Sequence, residues 1–307
     1  MITLGIDTSN YATSVSMVDN DKHKIIFHEK RFLPVEQGRI GLRQQQAVFE
    51  HIKNLTDILS KMEIKDIGAV GVSVKPRDEE NSYMPCFLTG KMSAYSIGAA
   101  LNVPVIETSH QTGHLTSALY DLDKEELFAQ KLIMLHVSGG TTDIMFAQEG
   151  KVVQNLGSSM DLFAGQAVDR LGVKLGYPFP AGIYVSEKAE KCPDIIKNIK
   201  VSVKGYNCNL SGLENQCEKL LKQSYSKEYV CKYCLTFIAK SIIKMIQNVQ
   251  ADFGNMPVIL AGGVMSSTVI KKIVTDAIPD AMFVQPQLSR DNAVGVAVNA
   301  YRKVKNG

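Results

Sequence analysis

The sequence is defined first by what it does not contain. No run of about eighteen apolar residues occurs, so no membrane span is expected. Met1 leads directly into an apolar strand pattern, with no basic stretch and apolar signal segment ahead of it, so a cytoplasmic protein is expected. Low-complexity tracts and short-period repeats are absent. Charge of neither sign dominates: 34 Lys and Arg against 31 Asp and Glu give a formal charge of +3, which tolerates a nucleic-acid partner without demanding one. The single C-x-x-C, Cys231 to Cys234, has no second copy to complete a zinc site. It lies on the apolar stripe of a helical pattern, so packed core thiols account for it better than redox or zinc chemistry. Neither His110 nor His114 lies in a His-Glu-x-x-His motif, so a zinc-protease reading has little support.

What is present is a large apolar fraction, 45% of 307 residues, enough for two α/β lobes. Residues 131–151 read as an apolar strand, a turn of Ser138, Gly139, Gly140, Thr141 and Thr142, and a second apolar strand. Without side chains at Gly139 and Gly140, such a tip lets backbone amides approach an anion; the plain alternative is an ordinary hairpin turn. Residues 1–20 repeat the layout, with a small, hydroxylated turn at Asp7, Thr8 and Ser9. A third glycine turn, Gly262-Gly263, follows a strand and opens a helix, where amides again favour a phosphate. Two such hairpins and a late strand–Gly-Gly–helix unit predict a duplicated α/β architecture: the two-lobed actin-like fold of actin, Hsp70 and the sugar kinases (ASKHA), built from RNase H-like units. Fold analogy supplies architecture and not chemistry.

Apolar spacing predicts a helix with Leu42, Phe49, Ile52, Leu55, Ile58, Leu59 and Met62 on its packed face, a strand over 67–74, a helix over 155–177 and a long helix over 228–250. The terminal helix, from Asp291, is expected to return to the first lobe. The lobes are expected at 1–108, completed by 291–307, and at 109–290, the second carrying the metal and nucleotide cleft.

His110 and His114 stand one helical turn apart behind the capping residue Ser109, at a spacing that chelates one metal ion or, alternatively, arises on a solvated helix. Two imidazoles under-coordinate a divalent ion, so a carboxylate is needed as well; Asp291, at the start of the last helix, is a candidate on the resemblance given below, with an ordinary N-terminal helix acid as the plain alternative. Asp7, Asp143, Asp161 and Asp169 lie in or beside the phosphate-type turns. Acids so placed hold a cation or a sugar hydroxyl, or simply face solvent.

Taken together, Gly5 to Ser9, His110 and His114, Val137 to Gly140, the spaced Gly157, Asp161, Gly165 and Asp169, Ser211-Gly212-Leu213, Ala261 to Val264 and Asp291-Asn292-Ala293 occur in an order that resembles, nearly end to end, the tRNA threonylcarbamoyladenosine transferases, the TsaD or glycoprotease-like family. The resemblance implies that His110, His114 and Asp291 hold one zinc or iron ion. It further implies that Val137, Ser138, Gly139, Gly140, Asp169 and Gly182, with Gly262, Gly263 and Ser267, line a site for an adenine nucleotide, threonylcarbamoyl-AMP or ATP/AMP. His110, His114, Asp7 and Asp161 become the candidate catalytic residues. The implied partners are tRNA, a paralogous actin-like subunit and a small ATPase. Departures from the pattern are Lys75-Pro76-Arg77 in place of Gly-Pro-Gly, Ser267 in place of asparagine, Ser158 and Leu162 in place of acids, and Asn10-Tyr11-Ala12 in the first turn. They keep two other readings open: a related transferase with another acceptor, and a non-catalytic scaffold or regulatory paralog.

Overall fold

A computed structural model describes residues 1–9, 12–34, 43–289 and 292–306. In chain order it comprises β1 (Ile2–Asp7), β2 (Ala12–Asp19), β3 (Lys24–Phe32), α1 (Gln44–Leu59), β4 (Ile67–Lys75), α2 (Phe87–Leu101), β5 (Val105–Ser109) and α3 (His110–Leu122). There follow β6 (Lys131–Val137), β7 (Thr142–Gln148), β8 (Lys151–Ser158), α4 (Ala164–Lys174), α5 (Gly182–Glu190), β9 (Ser202–Lys204), β10 (Asn207–Asn209) and α6 (Ser211–Lys222). The chain ends with α7 (Lys227–Phe253), β11 (Val258–Ala261), α8 (Thr268–Ala277), β12 (Ala281–Phe283) and α9 (Val294–Asn306). Among the described residues no helix is long and apolar enough to cross a membrane.

The duplication expected from the two hairpins is written into the sheets. One has the order β3-β2-β1-β4-β5; the other, read from its far edge, is β8-β7-β6-β11-β12. In each, an antiparallel hairpin (β1 with β2, β6 with β7) is extended on its first strand by two parallel strands. That is the arrangement a repeated RNase H-like unit requires.

The chain divides into two compact units: residues 1–125, 150–152 and 290–307, and residues 126–149 and 153–289. The terminal helix thus belongs with the first sheet, as expected. The expected boundary at 108 is corrected, because α3 belongs to the first unit. It packs on α9, and the two helices touch where Gly113 faces Gly295. A Cβ on Gly295 would stand 1.9 Å from the Gly113 carbonyl oxygen, so only glycine allows this crossing.

Two local expectations fail for identifiable reasons. The helix expected over 155–177 is α4 alone, because residues 151–158 form β8, the strand equivalent to β3. Its alternation with polar residues hides it from an apolar-run criterion. On α1 the buried stripe is Ala47, His51, Leu55 and Ile58, while Phe49 and Ile52 are exposed; Leu42 lies outside the described residues. A buried histidine in that stripe displaced the apparent apolar face. The three-residue strand β12 had no legible signal at all.

The first unit's core lies under β1 and β4, around Leu4, Ile6, Val15, Val70 and Val72. The second unit's larger core surrounds α7 and includes Cys217, Cys231 and Cys234, all buried free thiols. Burial pushes the Cys231 thiol up to about 12, so the C-x-x-C is packing, as read from its place on the apolar stripe.

Candidate functional site

The first unit builds a histidine pair from the inside outward. β5 ends at Ser109, whose side chain accepts from the Thr112 amide at 3.0 Å and caps α3. His110 and His114 then follow on one face, and their Nε2 atoms converge to 3.0 Å with the rings edge-to-face. Behind His110 stands Asp7, fully buried at the end of β1, with Oδ2 3.0 Å from His110 Nδ1. Asp7 also accepts from Ser9 Oγ at 2.8 Å and from Ser73 Oγ. Burial alone would push its carboxyl up. The His110 charge and the hydrogen bonds from His110, Ser73 and Ser9 outweigh burial and hold it below the ordinary carboxylate value. When His110 is neutral, an ionised Asp7 accepting a hydrogen bond from its Nδ1–H leaves the Nε2 lone pair of His110 facing His114, the carboxylate–histidine arrangement of metal sites.

This donor set fits a metal. Two nitrogens about 2.1 Å from a shared ion lie roughly 3.0 to 3.4 Å apart for right-angle to tetrahedral openings, and the observed separation falls at that edge. Among the described residues no group of three or more His, Cys, Asp or Glu side chains converges on one point. The expected third ligand, Asp291, lies outside the described residues; its neighbour Asn292 accepts from Ser117 of α3 at 3.0 Å.

The charged loop that replaces the family's Gly-Pro-Gly turns out to hold α3. Asp78 Oδ2 accepts from Ser109 Oγ and Thr112 Oγ1, both at 2.7 Å, and the Gln111 amide donates to the Pro76 carbonyl at 3.1 Å. Sequence reasoning missed both Ser73 and Asp78. Ser73 is one small residue in an apolar strand, and Asp78 sits in a loop whose charge gave no hint of its target.

The second unit gathers the candidate nucleotide residues at the ends of β6 and β11. Val137 pairs with Thr142, leaving the tip Ser138 to Thr141 between them. Ser138 Oγ accepts from the Gly140 and Thr141 amides at 3.2 Å and lies 3.0 Å from Thr141 Oγ1, so the tip is stiffened from within. Gly139 and Gly140 are exposed, with open space where a Cβ would stand. The start of α4 presses on the other side: the Gly165 amide donates to the Ser138 carbonyl at 3.0 Å, and a Cβ on Gly165 would meet the Gly139 nitrogen at 2.5 Å.

Gly262, with φ of +102°, lies against the Val137 carbonyl and brings Gly263 and the start of α8 to the same sheet end. Ser267 Oγ is 2.9 Å from Ser186 Oγ of α5. Asp169 accepts from the Ala181 amide at 2.7 Å and from Gly182, at the start of α5; burial outweighs these bonds and raises its carboxyl. Val137, Ser138, Gly139, Gly140, Asp169, Gly182, Gly262, Gly263 and Ser267 are therefore all carried by the second unit.

Asp161 has a different setting. It accepts from the Leu210 amide at 2.7 Å, the Ser211 amide at 3.2 Å and Ser211 Oγ at 2.6 Å, at the start of α6, and from Asn209 and Leu162. Burial opposes ionisation here, but these donors hold its carboxyl down at about 2. Its visible work is to tie the β8–α4 turn to α6.

Duplicated 3-2-1-4-5 sheets with phosphate-type turns define an actin-like ATPase fold, and solved structures agree. The chain is similar to an ROK hexokinase from Thermus thermophilus (TM-score 0.55, 13% identity, all of both chains). It is also similar to HypF from T. kodakarensis (TM-score 0.60, 12% identity, 99% of this chain and 48% of that one). The family model for TsaD, tRNA N6-adenosine threonylcarbamoyltransferase, matches residues 51–298, and the chain belongs to that family of transferases. Relatives of that name from Fusobacterium nucleatum (25% identical, all of this chain and 92% of that one) and Thermococcus sibiricus (26%, all of this chain and 93% of that one) align end to end. A Thermoplasma acidophilum relative, 23% identical over all of this chain and 57% of its own length, is named a probable bifunctional tRNA threonylcarbamoyladenosine biosynthesis protein.

Proposed function

We propose that this protein transfers the threonylcarbamoyl group of threonylcarbamoyl-AMP to N6 of the adenosine beside the anticodon of tRNA, using one zinc or iron ion held by His110, His114 and Asp291. The observation that carries the reading is the 3.0 Å convergence of the two Nε2 atoms with Asp7 behind His110, in a member of this family. The N6 amine attacks the carbamoyl carbonyl, the bond to the phosphate oxygen breaks, and AMP leaves with that electron pair while N6 loses a proton. When bound, the ion supplies Lewis-acid neutralisation of phosphate and oxyanion charge. The chain's own contributions are separable. Asp7 fixes the tautomer and direction of His110. The Ser138–Thr141 tip offers the bare backbone of Gly139 and Gly140 to the phosphate, and Asp169 with the start of α5 and Ser267 holds the nucleoside side.

A paralogous subunit and a small ATPase are the proposed protein partners, working in the cytoplasm. An apolar surface on the first unit supports a protein partner: Phe49 and Ile52 on α1 and Leu88, Met92 and Tyr95 on α2 are exposed, and the two helices pack together. The test is product formation. Protein supplied with threonylcarbamoyl-AMP, tRNA and partners should yield modified adenosine by nucleoside mass spectrometry, and His110→Ala should reduce the yield by about 100-fold or more. Absence of product from metal-replete protein with every partner present refutes the activity.

A further inference from the structure

The second unit carries a basic stripe with no acidic counterpart. From Ile195 to Gly205 the chain contains Lys197, Lys200 and Lys204 and no acid; from Tyr229 to Ala251 on α7 it contains Lys232, Lys240 and Lys244 and no acid. Two tethers lay these segments side by side. Lys232 Nζ donates to the Cys192 carbonyl at 2.6 Å, and Asn248 Nδ2 donates to the Gly205 carbonyl at 2.6 Å. The residues between therefore run beside four turns of α7, about 24 Å at 1.5 Å per residue.

Alternation decides which way the lysines face. Ile199, Val201 and Val203 pack on the α7 core and Ile196 is buried, while Lys197, Lys200, Lys204 and Lys244 are exposed and Lys240 is half-buried. None of these five lysines forms an ion pair among the described residues, whereas Lys53, Lys65, Lys174, Lys188 and Lys272 each meet an acid. At one end Asp252 is occupied by the Tyr206 hydroxyl, 2.5 Å away. Five unneutralised ammonium groups crowded on one strip repel one another. In a protein whose overall charge is only +3, such a strip is matched by a polyanion whose charges recur along a line.

We infer that the face formed by residues 195–205 and α7 binds the phosphate backbone of RNA, and specifically the tRNA substrate away from the reacting base. This rests on the proposed function for the identity of the RNA. It adds a surface that the nucleotide and histidine residues do not include.

The experiment is fluorescence anisotropy of a labelled tRNA transcript with adenosine 3′ to the anticodon, titrated with the full chain between 50 and 200 mM salt. Wild type should bind with log Kd rising against log salt. In the variant K197A/K200A/K204A/K244A that slope should fall by about 3, and affinity at 100 mM salt should fall at least about tenfold. Replacing the same four lysines by arginine should restore both, and K53A/K65A/K272A should leave both unchanged. Matching circular dichroism and melting temperature of the alanine variant show that the fold is intact. An unchanged slope in the alanine variant, with wild type binding tRNA, overturns the stripe and leaves the transferase reading standing. Failure of wild type to bind tRNA overturns both. Stripe-dependent binding to phosphatidylserine vesicles that tRNA does not displace assigns the face to a membrane and overturns the RNA assignment.

Discussion

The two hairpins share one topology and put it to opposite uses. At the first tip the side chains are turned inward. Asp7 is saturated by His110, Ser9 and Ser73, while Thr8 donates to the Cys86 carbonyl at 3.0 Å and accepts from the Gly90 amide at 3.2 Å. Asp7, Thr8 and Ser9 are all buried. At the second tip the side chains stiffen the loop, and the exposed Gly139 and Gly140 leave its outer surface bare. One turn underlies a histidine pair, and the other presents an exposed glycine backbone. The difference lies in whether the turn carries a carboxylate that a neighbouring helix can reach.

The sharpest way to break this contrast is Asp7→Ala. It removes the carboxylate that accepts from His110 Nδ1 and strands the Ser9 and Ser73 hydroxyls in the core, with an expected stability loss of about 3 kcal/mol. Metal affinity should fall about 10- to 100-fold. Denaturant unfolding and metal competition at pH 7 measure the two effects; unchanged metal affinity would remove Asp7 from the site.

A second test addresses the other face of the first hairpin. His51 of α1 is fully buried, its Nδ1 2.8 Å from Thr13 Oγ1 of β2 and its Nε2 without a hydrogen-bond partner among the described residues. Burial pushes its imidazole down to about 4, partly offset by attraction to Asp7. A histidine harder to protonate in the fold than in the unfolded chain, where its value is 6.5, takes up protons on unfolding across that interval. Its contribution is intact above pH 6.5 and is lost as pH falls toward 4, by up to about 3 kcal/mol. Stability of His51→Gln measured from pH 7 to 4 should show a correspondingly flatter acid slope; an identical slope would place the titration elsewhere.

The smallest expected effects sharpen the second tip. Gly165→Ala drives a Cβ into the Gly139 backbone and should cost about 1–3 kcal/mol. Gly139→Ala meets open space and should change stability by less than about 0.5 kcal/mol. It should nevertheless weaken adenine-nucleotide binding measured by calorimetry, because its methyl group stands on the exposed face of the loop. Equal nucleotide affinity for wild type and Gly139→Ala would show that the anion does not sit against that backbone.

Much of this was legible before any coordinate. The repeat of strand–turn–strand at residues 1–20 and 131–151 called for matching sheets, because apolar alternation and small turn residues act within a few positions of one another. The capping Ser109 and the i, i+4 spacing of His110 and His114 likewise specify a shared helical face by local geometry alone. Where burial depends on distant partners, the same reasoning failed. Strand β8 is held by its neighbour β7 and looked helical, and His51 supplanted Phe49 and Ile52 because of what β2 presents to α1.

Sequence by itself thus determined the duplication, the histidine pair and the glycine-bearing tip, since each follows from rotations about a few consecutive bonds. Tertiary structure alone decided that Asp7 faces His110, that Ser73 and Asp78 serve the same helix from elsewhere in the chain, and that lysines some forty residues apart share one face. Those relations depend on how elements remote in sequence pack, and no local spacing encodes a distance across a folded core.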